Sequence, residues 1–399
     1  MKLFSNSHFK NLKNILCISS AALAVSLIFS SCMPLNWNVS FDEFPGYEIE
    51  DEGGEETYSS PEYNGEREEI NIDKNEGNKN EGDKITSAGQ AYNSISEVYY
   101  AVANSVVEIT TETVQNSAWM GQFVSEGAGS GVIIDGKGYI VTNHHVVEGA
   151  SNISVRLATG EEFSAVIMGS DATADLAVLK IDPEDTDLTV ASLGCSSDLV
   201  VGEDVIVLGN PLGSLGGTLT TGIISATERE ITVDGNEMVL LQTNAAINPG
   251  NSGGGLFNMA GELVGVVNAK MAGSDIEGLG FAIPVDYAHS IIEDLINYGY
   301  VKGVADHGLT LLDVTSQNLY AAYSKYGITS TGVYIIESNI TNKLKFGDTL
   351  VSINGKAVTS SSEFNAIVRS CGVGESITVD VKRSGKTVTV SYVLGEKMP

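Results

Sequence analysis

The stretch from Asn244 to Phe257 reads NAAINPGNSGGGLF and sets one serine, Ser252, among Gly250, Gly253, Gly254 and Gly255, just after Pro249. Glycine gives up backbone entropy in return for positive φ and for close approach of another group to the main chain. Such a run is either a bare turn or a built site. A serine hydroxyl is a weak nucleophile and needs a base within hydrogen-bond reach, itself oriented by a third group. The chain has five histidines. His8 lies in an apolar leader, His289 in a helical segment and His307 between two domains. His144 and His145 remain, in VTNHHVVEGA, where Val141, Val146 and Val147 put the pair at the edge of a core. For the orienting acid, Asp175 opens the nearly apolar run ADLAVLKI, where a carboxylate costs desolvation energy unless it is hydrogen-bonded. A plain turn-capping role for Asp175, like that open to Asp171, is not excluded at this level.

Gly250 to Gly254 also spell G-x-S-x-G, so an α/β-hydrolase esterase has to be weighed. That elbow needs a strand before the serine, a helix after it, and partners in the order Ser, acid, His. Here Pro249 precedes, the strand-like GELVGVV follows and the histidines lie upstream. The order His, Asp, Ser is the chymotrypsin-like one. Around these motifs VVEITTETV, GSGVIID, GYIVTN, ISVRLA, FSAVIMG, LAVLKID, EDVIVLGN, GIISATE, MVLLQT, ELVGVVNAK and LGFAIPV succeed one another with turn residues between, the rhythm of an all-β barrel or sandwich. A helical pattern from Ala91 to Val107 precedes them. Another, VDYAHSIIEDLINYGYV, follows Pro284 and stops at Gly299 and Gly303. A smaller unit then runs to about Gly395, with the size of a binding module built on a few strands and one helix.

At the N-terminal side, Lys2, Lys10 and Lys13 precede the apolar run ILCISSAALAVSLIF (15–29) and then SSC, which reads as an export signal. FSSC is similar to a lipoprotein cleavage box, making Cys32 a candidate lipidation site; uncleaved, the segment would be a single anchor. Residues 41–84 hold sixteen acids against four bases and few large apolar side chains, so they read as an extended, self-repelling linker. The net charge of −29 falls on both the linker and the chain beyond it, and no basic footprint for nucleic acid is present. The four cysteines, Cys17, Cys32, Cys195 and Cys371, suggest neither a disulfide framework nor a metal site.

TNHHVV, ADLAVLKI and AAINPGNSGGGL, together with GSGVIID, VLGNPLG, TTGIISA and GLGFAIP, resemble the exported HtrA (Deg) serine proteases over about residues 93–395. The resemblance implies a mainly β fold: a chymotrypsin-like double β-barrel protease domain followed by a small β-rich PDZ domain. The implied organisation is a signal or anchor segment at 1–33, an acidic disordered linker at 34–90, the protease domain at 91–298 and the PDZ domain at 303–396. It makes Ser252 the nucleophile, His145 rather than His144 the base, and Asp175 the orienter. Gly250 and Ser252 would supply the oxyanion-hole N–H groups, and Ala246, Ile247, Val267, Asn268 and Ala269 the primary substrate pocket. By the same likeness Gly308, Leu309, Thr310 and Leu311 (GLTL) match the loop that binds peptide C-termini, and FGDTLVSINGKAV from Phe346 the core of the PDZ unit. Asn244, Gly255 and His144 depart from the family pattern, which commonly has Asp, Pro, and Asn or Ala there.

These readings describe a serine endopeptidase outside the cytoplasm, tethered to the cell membrane, that acts on unfolded or mislocalised envelope proteins without metal or cofactor. The family likeness further implies a homotrimer joined through the region of Tyr99 and Tyr100, and the short Thr111–Gly129 segment argues against the larger cages of some relatives. The alternatives are a peptide-binding chaperone or scaffold with a vestigial site, and the esterase.

Overall fold

The computed structural model describes residues 60–65, 67, 70, 72, 92–117, 121–209, 217–233, 236–271 and 279–398. The leader, Cys32 and most of the acidic segment lie outside the described residues.

Six antiparallel strands close the first barrel: β1 (Val106–Ser117), β2 (Gly121–Asp135), β3 (Tyr139–Thr142), β4 (Asn152–Arg156), β5 (Glu162–Asp171) and β6 (Leu176–Ile181), in the order β1-β2-β3-β6-β5-β4. The second barrel uses β8 (Asp204–Gly209), β9 (Thr218–Val233), β10 (Asn236–Thr243), β11 (Gly255–Asn258), β12 (Glu262–Val267) and β13 (Gly280–Pro284), closed by the β11–β12 pairing, with the short β7 (Ser192–Leu193) added to β12. Period-two alternation sorts the side chains between cores. In β6, Ala177, Leu179 and Ile181 fill the first barrel while Leu176 and Val178 face the seam between barrels. In β8, Val205 and Val207 enter the second barrel while Ile206 and Leu208 join the same seam. A strand buried on both faces has no polar positions to show, which explains why ADLAVLKI reads as a continuous apolar run.

Two longer helices cover the seam. In α1 (Ile95–Val102) Ser94 accepts the Glu97 N–H at its start and Val98 and Val102 face inward. The one-turn α2 (His144–Val147) follows β3, and α3 (Val285–Asn297) buries Val285, Ala288, Ile291, Ile292, Leu295 and Ile296 at helical spacing. It ends at Gly299, φ +87°, the left-handed position that favours glycine. Within Thr111–Gly129 the described residues extend the β1–β2 ladder, paired out to Ser117 and Gly121.

The PDZ region holds β14 (Ala305–Asp306), β15 (Leu309–Val314), β16 (Gly332–Ser338), β17 (Thr349–Ile353), β18 (Lys356–Ala357), β19 (Ser376–Arg383), β20 (Lys386–Val393) and β21 (Gly395–Glu396), with helices α4 (Leu319–Tyr326) and α5 (Ser361–Arg369). The sheet order is β15-β16-β17-β19-β20, β18 pairs with β17, and β14–β21 ties the two ends of the region together. The FGD signature has a structural reason: Gly347 takes φ +81°, and the Asp348 carboxylate, 1% exposed, accepts both the Lys345 N–H and the Arg383 guanidinium.

One expectation fails here. Part of the 34–90 linker is packed against the first barrel. β4 pairs with β5 only as far as Ser164, leaving the β5 edge open beyond it, and Pro61–Tyr63 take that edge at Ile167. Ile167 donates its N–H to Pro61 O (2.7 Å) and accepts that of Tyr63 (2.9 Å). Arg67 donates to the carbonyls of Met168 (2.6 Å), Leu295 and Ile296 (both 2.9 Å), the last two at the C-terminal end of α3. Ile70 and Ile72 are buried, and His289 donates from Nε2 to Ile72 O at 2.7 Å. Average composition hid this because three apolar side chains and one arginine suffice when an open strand edge and a helix end supply the partners.

Arg67→Ala should therefore destabilise the protein by about 1–3 kcal/mol, the usual loss for hydrogen bonds from a charged donor. A chain starting at residue 91 should melt below one starting at residue 57 in calorimetry. Equal melting temperatures would show the strap to be idle.

Candidate active site

β3 delivers its end into α2, so that His145 stands at the mouth of the seam, and the turn after β5 brings Asp175 beneath it. Asp171 caps that turn, its Oδ1 accepting the N–H groups of Thr173 (2.9 Å) and Ala174 (2.8 Å). Asp175 does something different. It adopts φ +52°, uncommon for a residue with a side chain, and the Asn143 amide holds its carbonyl at 3.0 Å. Its carboxylate, in a residue 8% exposed, accepts the His145 backbone N–H (3.0 Å), His145 Nδ1–H (2.7 Å) and Asn268 Nδ2–H (2.9 Å). Three donors offset the desolvation that the sequence flagged. With Nδ1 carrying its proton toward Asp175, Nε2 is left as an acceptor and lies 3.0 Å from Ser252 Oγ. Ala269 N–H also reaches Ser252 Oγ, at 3.3 Å. His144 turns away, its Nε2 3.9 Å from Glu148.

The glycine run is explained by what crowds it. Gly250 and Gly253 have φ of +99° and +81°. A Cβ on Gly253 would meet the Ser130 carbonyl and Thr142 Oγ1 of the first barrel, and one on Gly254 the Leu208 carbonyl. At Gly255 the obstacle is the ring of Phe257, fully buried in the seam, so the departure from proline fits the aromatic two residues on. Asn244 is likewise employed, its Oδ1 accepting Ile223 N–H at 2.8 Å. The N–H groups of Gly250 and Ser252 donate to no acceptor among the described residues, which leaves them available to a developing negative charge.

Of the five expected pocket residues, Ile247, Val267 and Ala269 share one apolar cluster. Ala246 is exposed, its carbonyl accepting Thr220 Oγ1–H at 2.8 Å. Asn268 is a correction: its side chain is committed to Asp175 and positions the acid instead of lining a pocket. Gly280, missed in the sequence, lies where a Cβ would press on Ile247 Cδ1 at 2.7 Å. Residues 272–278 lie outside the described residues.

A trypsin-like peptidase domain matches residues 129–266 and a PDZ domain residues 313–394. The serine protease Do-like HtrA of Bacillus subtilis (strain 168) is 37% identical over 329 residues, covering 76% of this chain and 73% of that protein. The chain belongs to the HtrA family of serine proteases. Other HtrA-family relatives include the chloroplastic Protease Do-like 1 of Arabidopsis thaliana, 37% identical over 73% of this chain and 70% of that protein. The periplasmic serine endoprotease DegP of Salmonella typhimurium is 39% identical over 67% of this chain and 56% of its own. Among solved structures, the HtrA-type protease AlgW with decapeptide superposes with a TM-score of 0.51 at 30% identity, covering 77% of this chain and 99% of that one.

In this HtrA protease the GLTL loop does not stand open. β15 is an edge strand of its sheet, flanked by α5, whose Ser361 donates from N and Oγ to the Asp313 carboxylate. Gly308 N–H is held by Asp306 Oδ1 (3.0 Å) and Leu309 N–H by His307 Nδ1 (3.0 Å), while His307 Nε2–H donates to Asn365 Oδ1 (2.9 Å) beside the Phe364 ring. An incoming carboxylate has to compete with these internal acceptors for the two N–H groups. Burial pushes the His307 imidazole below its ordinary value of 6.5, outweighing the neighbouring Asp306 carboxylate and the Asn365 bond.

Two expectations follow. Ser252→Ala and His145→Ala should abolish proteolysis of an unfolded protein while His144→Ala retains it, and Asn268→Ala should lower kcat about 10- to 100-fold at similar KM, the worth of one hydrogen bond to a charge. Near-normal turnover in His145→Ala would sink the arrangement. For His307, a base with a depressed folded-state pKa, the stabilisation is complete above 6.5 and is lost as pH falls through the folded-state value. Melting temperature should thus drop more steeply below that pH in the parent chain than in His307→Gln; parallel slopes would count against it.

Proposed function

We propose that this HtrA-family endopeptidase is exported, held at the membrane by its first 33 residues, and degrades or processes unfolded or mislocalised envelope proteins. The carrying observation is the His145–Asp175–Ser252 hydrogen-bonded array, joined to a PDZ region with an unpaired edge strand. His145 takes the Ser252 proton as Oγ attacks the scissile carbonyl and then delivers it to the leaving amine, while the Asp175 carboxylate stabilises the imidazolium. Gly250 and Ser252 N–H groups receive the oxyanion. Such an intact array favours an enzyme over the scaffold reading, and the β-barrel fold disfavours the esterase.

The tether is assigned to the leader by its apolar run at 15–29, through acylated Cys32 or an uncleaved span; among the described residues no helix is long and apolar enough to cross a membrane. The pocket carries no carboxylate among Ala246, Ile247, Val267 and Ala269, which suits cleavage after small aliphatic residues. An apolar pocket discriminates by only about 1–3 kcal/mol per methylene, so selectivity should be broad. The PDZ region takes peptide C-termini as an added strand beside β15, with the carboxylate on the Gly308–Leu311 loop displacing Asp306 and His307 from the Gly308 and Leu309 N–H groups. That a decapeptide occupies the related AlgW structure supports this reading. Tyr99 packs into the core and Tyr100, 80% exposed beside it, offers the contact for a homotrimer.

A fluorophosphonate probe should label Ser252 in the full chain. Cleavage sites mapped on an unfolded substrate should follow Val, Ala or Ile; a profile dominated by Arg or Lys would refute the pocket. Peptides ending in a free carboxylate should bind at micromolar levels and their amidated counterparts should not, and equal binding would remove the PDZ recognition role.

A further inference from the structure

Ser130 belongs to β2 of the first barrel, is fully buried, and is not one of the triad residues. It nevertheless grips the nucleophile turn twice. Its N–H donates to Ser252 O at 2.8 Å, and its Oγ–H donates to Gly250 O at 2.6 Å. Its own carbonyl is held by Thr142 Oγ1–H at 2.7 Å, so the grip is anchored to β3, the strand that leads to His145.

The chemistry of the turn gives this grip a purpose. The Gly250 carbonyl and the Asn251 N–H belong to one planar peptide. Ser130 holds its oxygen, and Asn248 O accepts its N–H at 3.0 Å from the opposite side. The next peptide is fixed as well, because Asn251 O accepts Gly254 N–H at 2.9 Å. Ser252 N–H therefore has its direction set by backbone alone. Gly250 N–H does not: it hangs from a glycine, the residue with the most backbone freedom, and the hydroxyl of Ser130 is the side-chain contact that fixes the peptide next to it.

We propose that Ser130 is a positioning residue for the oxyanion hole, holding Gly250 in the conformation that points its N–H at the tetrahedral intermediate. The inference rests on Gly250 and Ser252 being the oxyanion donors. A hydroxyl that acts this way leaves ground-state binding alone and works only when negative charge appears on the substrate oxygen. It also leaves the His145–Asp175 pair untouched, so the pH profile keeps its shape and loses height.

The test compares full-length parent chain, Ser130→Ala and Ser130→Thr. Ser130→Ala should lower kcat about 10- to 100-fold, less than the 10²- to 10³-fold of removing an oxyanion donor outright, at nearly unchanged KM. Affinity for a peptide boronate, which forms a tetrahedral adduct on Ser252, should fall by the same factor, while Ser130→Thr, which keeps the hydroxyl, recovers most of both. If Ser130→Thr misfolds by calorimetry, the parallel loss of kcat and boronate affinity in Ser130→Ala decides alone. Unchanged kcat in Ser130→Ala, a loss confined to KM, or a lower melting temperature without loss of turnover would overturn the proposal. A parent chain that forms no boronate adduct would instead overturn the nucleophile assignment beneath it.

Discussion

Three donors from two separate stretches of chain converge on one buried carboxylate. Asp175 sits at the start of β6 and is met by His145 from the end of β3, from both its backbone and its ring, and by Asn268 from the end of β12 in the other barrel. The two His145 donors come from the same barrel as Asp175, whereas the Asn268 donor is in place only if both barrels have closed and the seam between them is packed. The seam core of Val141, Leu176, Leu208, Phe257 and Val266 is thus the scaffold of the site. Electrostatic demand at a single side chain and hydrophobic closure of two barrels are satisfied by the same arrangement, and neither is available to half of the protein.

Much of this was legible in the sequence because the residues involved are chemically conspicuous. A serine in a glycine run, a histidine pair after a strand and an aspartate heading an apolar strand each violate a local expectation, and their order along the chain weighed against the esterase topology. The fold class was legible for a related reason, since short strands at even spacing leave a periodic trace. Choosing His145 over His144 was beyond the residues themselves and needed the family likeness; in the structure α2 turns one ring to Ser252 and the other to Glu148.

What stayed hidden shares a physical cause. Asn268, Ser130 and Gly280 act through long-range pairing, and nothing in their neighbours' composition announces the partner. The strap at 60–72 was hidden by averaging, for a window dominated by acids conceals Tyr63, Arg67, Ile70 and Ile72. Whether the GLTL loop is open is likewise a matter of His307 and Asp306 folding back on their own chain, a contact two residues long that a motif match cannot register.

The placement of the strap has a mechanical meaning. Its contacts fall on Ile167, Met168 and the end of α3, and the Gly395–Lys397 arm comes to the same strand, with Lys397 Nζ 3.4 Å from Asp171. Both routes into the folded body therefore load one corner of β5. A pull on the chain from its N-terminal side would be borne first by that corner, in shear along the strap's pairing with Ile167.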